Sequence, residues 1–331
     1  MIKQVIQSFF DKNKSIQDEE IYAVAVSGGP DSMALAHALL TTYSDKDIHI
    51  LSIDHDLRPD SSVEIDAVEE WVKAYPNSIF KRFIWEGAKP ETAIMEAARA
   101  ARYDLMADYC VSQNIQHLFL GHHQDDQAET FLIRLAKGSG LDGLGAMASI
   151  SSYQNQICFV RPLLDVTKED ILRYCKINDI QFSEDPSNEN GEYLRPRLRE
   201  AKTILEKEGL TSKRLSITAR RLARARDALQ NLSHEAYGEV IEVSDDDMLF
   251  LDAQCLAKWP EDIRLRVLKR ALETLQPVEN YSVRYDRLED LHEAIWMSYD
   301  QDENMKRRSL GHCFFSYDNV KKIIKIEKGK K

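Results

Sequence analysis

No stretch of this sequence approaches the roughly 18 consecutive apolar residues that a membrane-spanning helix needs. The start, Met1 to Gln17, spaces Ile2, Val5, Ile6, Phe9 and Phe10 as a helix would, but charges interrupt it and it lacks the apolar centre of a signal peptide. It reads as an amphipathic first helix, and the protein is expected in the cytoplasm with no membrane partner. Paired cysteines are also missing. Cys110, Cys158, Cys175, Cys255 and Cys313 are odd in number and far apart, with no Cys-x-x-Cys. That disfavours a disulfide scaffold, a zinc ribbon and a dithiol redox site, and leaves isolated buried thiols as the simplest reading. Net positive charge is lacking too. With a formal charge of -11, the chain should not coat nucleic acid indiscriminately, because phosphate contacts need cations.

Cations are nonetheless concentrated locally. Arg197–Arg226 holds ten Lys/Arg against three Asp/Glu, and Val320–Lys331 holds six Lys against one Glu, so one particular RNA could still be bound. Taken alone, each stretch reads as a solvated helix face or a frayed tail. The 331 residues suggest two domains, and 43% apolar with 30% charged residues suits a soluble chain with a real core.

The first 190 residues alternate short apolar runs with helical patterns. Strands are expected at 21–26, 48–53, 79–84, 117–120 and 157–164, and helices at 33–40, 62–74, 92–113, 124–135 and 167–179. Thr167 with Asp170 resembles a capping box. This alternation predicts an α/β fold, a mostly parallel sheet with helices on both faces, whose ligands bind beyond the carboxyl ends of the strands. Past the polar loop 183–192 long helical stretches dominate, notably 211–233 and 261–275. The expected domains are residues 1–195, a basic helical linker at 196–230, and a smaller, mainly helical domain at 231–331.

Three constellations fall at the predicted binding edge. Ser27-Gly28-Gly29-Pro30-Asp31-Ser32 joins a strand to a helix. Two glycines let backbone approach a ligand, and the turn amides with the helix N-terminus face an anion. The lysine of the Gly-x4-Gly-Lys-Ser/Thr loop is absent. Asp31 beside phosphates makes sense if a Mg²⁺ intervenes. Asp54-His55-Asp56-Leu57-Arg58 follows the second strand, where a nucleotide site would contact base or ribose. In the segment Gly121–Thr130, the spacing of His122, Asp126 and Glu129 by four and three residues predicts one helix face, with Asp125 on an adjoining part. Carboxylates there suit an ammonium substrate or a metal, a dinuclear site included; His122 suits a phosphate contact or acid–base work. Arg99 and Arg102, three residues apart, can project together and offset charge on a leaving pyrophosphate.

In order, Ser27–Ser32, Asp54–Arg58, Glu96–Tyr103, His122–Thr130, Lys137–Gly140 with Gly143-Leu144, Arg161–Leu164 and Glu184–Asn188 before Arg195–Arg199 resemble the tRNA(Ile)-lysidine synthase family. The first motif alone is similar only to the pyrophosphatase-type P-loop superfamily. The resemblance covers residues 20–200 and implies an adenine nucleotide alpha hydrolase-like fold. It also implies ATP and Mg²⁺, an isoleucine tRNA with cytidine at the wobble position, and L-lysine, joined through an adenylated base. It further implies that Ser27, Gly28, Gly29, Pro30, Asp31, Ser32, Asp54 and His55 bind ATP, with Asp31 on the Mg²⁺. Asp126 and Glu129 would bind lysine. Asp31, Arg99, Arg102, His122 and Arg199 would serve the adenylation, while Arg197, Lys213, Arg214, Arg220, Arg221 and Arg224 would meet the tRNA, with residues 231–331 as a tRNA-binding domain. Arg195-Pro196-Arg197 departs from the family's Asn-Arg, and Lys137 stands where Arg is commoner. Some members carry a further C-terminal domain for which this chain is short. No feature fixes the oligomeric state, a homodimer among the options. The rivals are a tRNA thiolase of the same superfamily, disfavoured by the missing Cys-x-x-Cys; GMP or asparagine synthetases, which would bring a glutamine-hydrolysing segment; and a non-catalytic nucleotide sensor.

Overall fold

The computed structural model describes residues 1–54, 61–85, 94–183, 197–198, 201–244, 247–275 and 284–329. The chain divides into two compact units, Met1–Ala223 and Arg224–Lys331.

In the first unit, β1 (Ile21–Ala25), β2 (Asp47–Asp54), β3 (Ser78–Ile84), β4 (His117–Phe119), β5 (Ile150–Tyr153) and β6 (Ile157–Val160) form one sheet in the order β3-β2-β1-β4-β6-β5. Every pairing is parallel except β5 with β6. The helices are α1 (Ile2–Lys12), α2 (Lys14–Gln17), α3 (Pro30–Thr42), α4 (Ser61–Val72), α5 (Ile94–Ser112), α6 (Gln124–Ala136), α7 (Leu141–Leu144), α8 (Lys168–Ile177), α9 (Lys202–Lys207) and α10 (Ser212–Val240). The period-two alternation of a strand buried on both faces shows in β1. Tyr22 and Val24 enter a core with α1, α3 and α8, whereas Ala23 enters a separate core with α5. Ile2, Ile6 and Phe10, all fully buried, form the apolar stripe of α1. The Phe10 ring lies 5.7 Å from Phe119 of β4 and 4.7 Å from Tyr43, which seals the sheet under α1.

The β-structure departs from the sequence-based expectation in both units. The fifth predicted strand stops at Val160, and β5, just before it, pairs antiparallel with it across the turn 154–156, where Gln154 and Asn155 take positive φ (50° and 55°), as primed hairpin turns do. A short, half-exposed Ile-Ser-Ser-Tyr carries too little apolar signal to announce itself. The second unit contains a five-stranded antiparallel sheet that the helical patterns do not reveal. Its strands β7 (Ile241–Ser244), β8 (Met248–Asp252), β9 (Met305–Leu310), β10 (Cys313–Asp318) and β11 (Ile323–Lys328) are ordered β7-β8-β11-β10-β9. They share a core with α10, α11 (Ala253–Leu256), α12 (Glu261–Leu275) and α13 (Tyr285–Asp300). The Lys-rich tail therefore includes a strand: Ile324 and Ile326 are fully buried in β11, alternating with Lys325 and Glu327. Among the described residues no helix is long and apolar enough to cross a membrane.

Candidate active site

The sheet order places the topological switch point between β1 and β4, whose carboxyl ends lie side by side. The phosphate-loop motif follows β1 and the His122–Thr130 motif follows β4. Gly28 takes φ +84°, a left-handed conformation that favours glycine, and Gly29 is the extended N-cap of α3 with Pro30 in the first turn. Ser32 Oγ accepts from the Ser27 amide at 3.2 Å and donates to the Gly29 carbonyl at 3.0 Å, closing the loop on itself. Among the described residues no side chain caps α3, so its first amides remain available to an anion. Gly121, just past β4, lies so close to α3 that a Cβ would sit 3.0 Å from the Asp31 carbonyl and the Ser32 amide. That glycine lets the two motifs approach.

His123 is the N-cap of α6. Its Nδ1 accepts from the Asp125 amide at 3.2 Å, and Asp126 Oδ2 accepts from the His123 amide at 2.9 Å, a reciprocal capping box. With Nδ1 accepting, a neutral ring carries its proton on Nε2, which faces both Asp31 Oδ1 and Asp126 Oδ2 at 3.6 Å. Lys168, the first residue of α8, donates to both Asp31 oxygens at 2.6 and 2.8 Å. Lys202 donates to Asp125 at 2.9 Å. Burial alone would raise the Asp125 carboxyl, but hydrogen bonds from Ser212 and Lys202, with the Lys202 charge, outweigh it and hold the group below its ordinary value.

These side chains line a cavity of about 390 Å³. Its lining is mixed: Asp31, His123, Asp125, Asp126, Glu129, Lys168 and Lys202 are polar, and Leu132, Leu198, Leu205, Leu210 and Leu215 are apolar. Such a cavity fits a cation on an aliphatic stem, next to a phosphate loop. Among the described residues no group of three or more His, Cys, Asp or Glu could hold a metal ion by itself. A Mg²⁺ needs less from the protein, because it keeps waters and takes one or two carboxylates plus nucleotide phosphates. Asp31, in the first turn of α3 and partly exposed, fits that requirement.

His122 does not stand where its spacing predicts. The helix begins only at Gln124, so His122 precedes it and does not share its face with Asp126 and Glu129. It is His123 that joins them in the cavity. His122 instead faces cations. Burial pushes its imidazole down to about 3; the Asp126 charge opposes this, and Arg161, Arg99 and Arg102 push further down. It is therefore neutral at pH 7, and its buried Nδ1 has no hydrogen-bond partner among the described residues. Arg99 and Arg102 both lie against the Tyr103 ring, at 5.1 and 5.2 Å. Arg161 is buried, donates to the Ala148 carbonyl and Ser151 Oγ at 2.9 Å, and lies over Phe159.

Asp54 closes β2 at the same edge of the sheet. His55 and Arg199 lie outside the described residues, as do Arg195-Pro196 and the segment 184–190. Arg197 is exposed, as are Lys213, Arg214, Arg220, Arg221 and Arg224 along α10. Arg220 pairs with Asp165 at 2.9 Å, and Arg214 donates to the Gly209 carbonyl at 3.1 Å. The opposite stripe of α10, Leu215, Ala219 and Leu222, packs on Ala128 and Phe131 of α6. The sequence pattern does not single out His123, Lys168, Lys202, Arg161 or the cavity leucines. Only the Thr167 cap, whose Oγ1 accepts from the Asp170 amide at 3.2 Å, pointed toward Lys168.

A parallel sheet with this loop at its switch point defines the PP-loop class of nucleotide-binding domain, and residues 1–205 match the PP-loop domain family. The chain is 35% identical to the tRNA(Ile)-lysidine synthase of the Wolbachia of Brugia malayi, across 88% of this chain and 67% of that one. It is 38% identical to that of Bradyrhizobium diazoefficiens, across 76% and 72%. It belongs to the tRNA(Ile)-lysidine synthase family. Another relative, from Wolbachia pipientis, is matched over 62% of its length. Among solved structures, the U34-tRNA thiolase NcsA of Methanococcus maripaludis, with its 4Fe-4S cluster, superposes with a TM-score of 0.58 over 67% of this chain and 78% of that one. At 16% identity that likeness shows the fold alone.

Proposed function

We propose that this chain is a carbon–nitrogen ligase that attaches L-lysine to carbon 2 of the wobble cytidine of the AUA-reading isoleucine tRNA, consuming ATP and releasing AMP and pyrophosphate. The observation that carries this reading is the cavity, in which Asp31 of the phosphate loop, further carboxylates and five leucines share one lining. A carbonyl oxygen is a poor leaving group. The cytidine O2 first takes the adenylyl group from ATP, breaking the bond to pyrophosphate. The lysine ε-amine then attacks carbon 2, AMP departs, and the amine gives up a proton.

Ser27, Gly28, Gly29, Pro30 and Ser32 hold the phosphates, and Asp54 contacts the nucleoside. Asp31 would hold a Mg²⁺, which would offset phosphate charge. Arg99 and Arg102, with neutral His122, face the departing pyrophosphate. Asp126 and Glu129 bind the lysine ammonium and take up its proton, while the leucines pack along the methylene stem. The exposed cations of α10 meet the tRNA backbone. The test supplies Mg-ATP and labelled L-lysine with and without the tRNA transcript. Lysine should enter the RNA only with ATP and with cytidine at the wobble position. ATP binding without incorporation would favour a thiolase or a nucleotide sensor, which addition of a sulfur donor would separate.

A further inference from the structure

The phosphate loop lacks the lysine that a Gly-x4-Gly-Lys loop carries within itself, and a triphosphate lying against Asp31 would meet a carboxylate. The structure brings a lysine to that loop from elsewhere. Lys168 stands 137 residues away in sequence, yet its Nζ bridges both Asp31 oxygens at 2.6 and 2.8 Å.

The base of this side chain is fixed and its head is free to move. Its helix is clamped to the loop's helix: the Cys175 Sγ–H approaches the Pro30 carbonyl at 3.6 Å, and His37 Nδ1 and Tyr174 Oη are 2.8 Å apart. The residue two before Lys168, Val166, accepts from the Gln124 amide at 3.0 Å, which ties this segment to the start of α6. The side chain of Lys168 is 36% exposed and lines the cavity, so its ammonium can turn without moving the helix.

Resting on the nucleotide-site reading above, we infer that Lys168 is the missing phosphate-loop lysine, supplied by α8. Without nucleotide it neutralises Asp31 and keeps the loop's carboxylate from standing unpaired. With Mg²⁺–ATP bound, Asp31 would hold the metal, and the Lys168 ammonium would be free to turn to a phosphate oxygen. Lys168 is thus a nucleotide-contacting residue rather than only an ion-pair partner.

Calorimetric titration of the full chain with ATP and with inorganic pyrophosphate, with and without Mg²⁺, tests this. Lys168→Met should weaken both ligands on the order of 10- to 100-fold, the range of a charge-assisted hydrogen bond, and Lys168→Arg should recover most of the loss. The Asp31→Asn background leaves no unpaired carboxylate and separates the two roles. There, Lys168→Met should still weaken Mg²⁺-free pyrophosphate binding by a similar factor. Wild-type affinity in Lys168→Met, or an effect that vanishes in Asp31→Asn, overturns the inference while leaving the nucleotide site intact. Failure of the wild-type chain to bind ATP at all overturns the nucleotide site itself.

Discussion

The two units use β-structure in opposite ways, and the difference decides where chemistry can sit. In the first unit, five strands run parallel, so their carboxyl ends share one edge. Residues near positions 27–32, 54 and 121–129, remote in sequence, are delivered to that edge by the fold alone. In the second unit, each strand runs opposite to its neighbour, so no edge collects successive loops. Its polar groups lie on faces instead. The concavity there, about 280 Å³, is a helix-surface groove between α10 and α12, with Gln230, Arg266, Lys269 and Arg270 in its lining. One unit gathers loop residues at a single edge; the other spreads its charged side chains over the faces of an antiparallel sheet and its helices.

The sharpest way to break that contrast is to remove the carboxylates. Glu129→Ala should lower lysine incorporation about 100-fold or more, because a cation would lose a buried charged partner worth about 1.5–3 kcal/mol and the remaining groups would lose alignment. Asp126→Ala should do the same. Asp126→Asn keeps an acceptor for the His123 amide, so a comparable loss in that variant would isolate the charge from the helix cap. ATP affinity should hold in all three, and Lys269→Ala in the second unit should leave the KM for lysine unchanged. Full activity in Glu129→Ala and Asp126→Ala would end the assignment of the lysine site.

What could be read in advance follows the same division. The strands around Val24, Ile50 and Phe119 are buried on both faces and show as continuous apolar runs. The phosphate loop was legible because glycine, proline and serine are needed at fixed steps of one turn. The strands of the second unit were not. Lys306, Arg307 and Arg308 face water along β9 and mask its two buried ends, Met305 and Leu310. The long helical pattern of α10 and α12 dominates any window around them. Lys168 and Lys202 were invisible for another reason: each acquires its role from a carboxylate brought close only by tertiary packing. The i, i+4 spacing misplaces His122 because the helix starts two residues later, at Gln124.

Acid should separate the units less strongly. Burial, with Lys3 nearby, pushes His37 down to about 4, and His122 is pushed to about 3. In the second unit the histidine lowered by burial is His292. The folded first unit holds His37 and His122 as free bases, whereas the unfolded chain takes up protons below about pH 6.5. Their contribution is therefore fully present above that pH and is lost as the pH falls toward about 4, at up to about 1.4 kcal/mol per pH unit for each histidine. Urea midpoints at about pH 7.5 and 5 should show the drop, and His37→Gln should flatten it. Equal midpoints at both pH values would mean that these imidazoles are not held neutral. Above pH 5, activity should show no titration attributable to His122.

The smallest effect expected is on tRNA binding by α10, the helix that carries the exposed cations. Arg221 and Arg224 have no ion-pair partner among the described residues, whereas Arg220 is engaged with Asp165. A cation already paired contributes less when a phosphate arrives, because its partner must first be displaced. Replacing Arg221 or Arg224 by Gln should weaken tRNA binding a few-fold. It should also reduce the slope of log affinity against log salt by about 0.7–0.9 for each phosphate that the variant no longer neutralises. Arg220→Gln should do less. Filter binding across a salt series measures both. If Arg220→Gln instead proves the most damaging, the Asp165 pair opens on binding and the free cations of the stripe are not the ones the RNA uses. If no substitution changes the slope, the RNA lies elsewhere, and the cationic groove of the second unit becomes the surface to test.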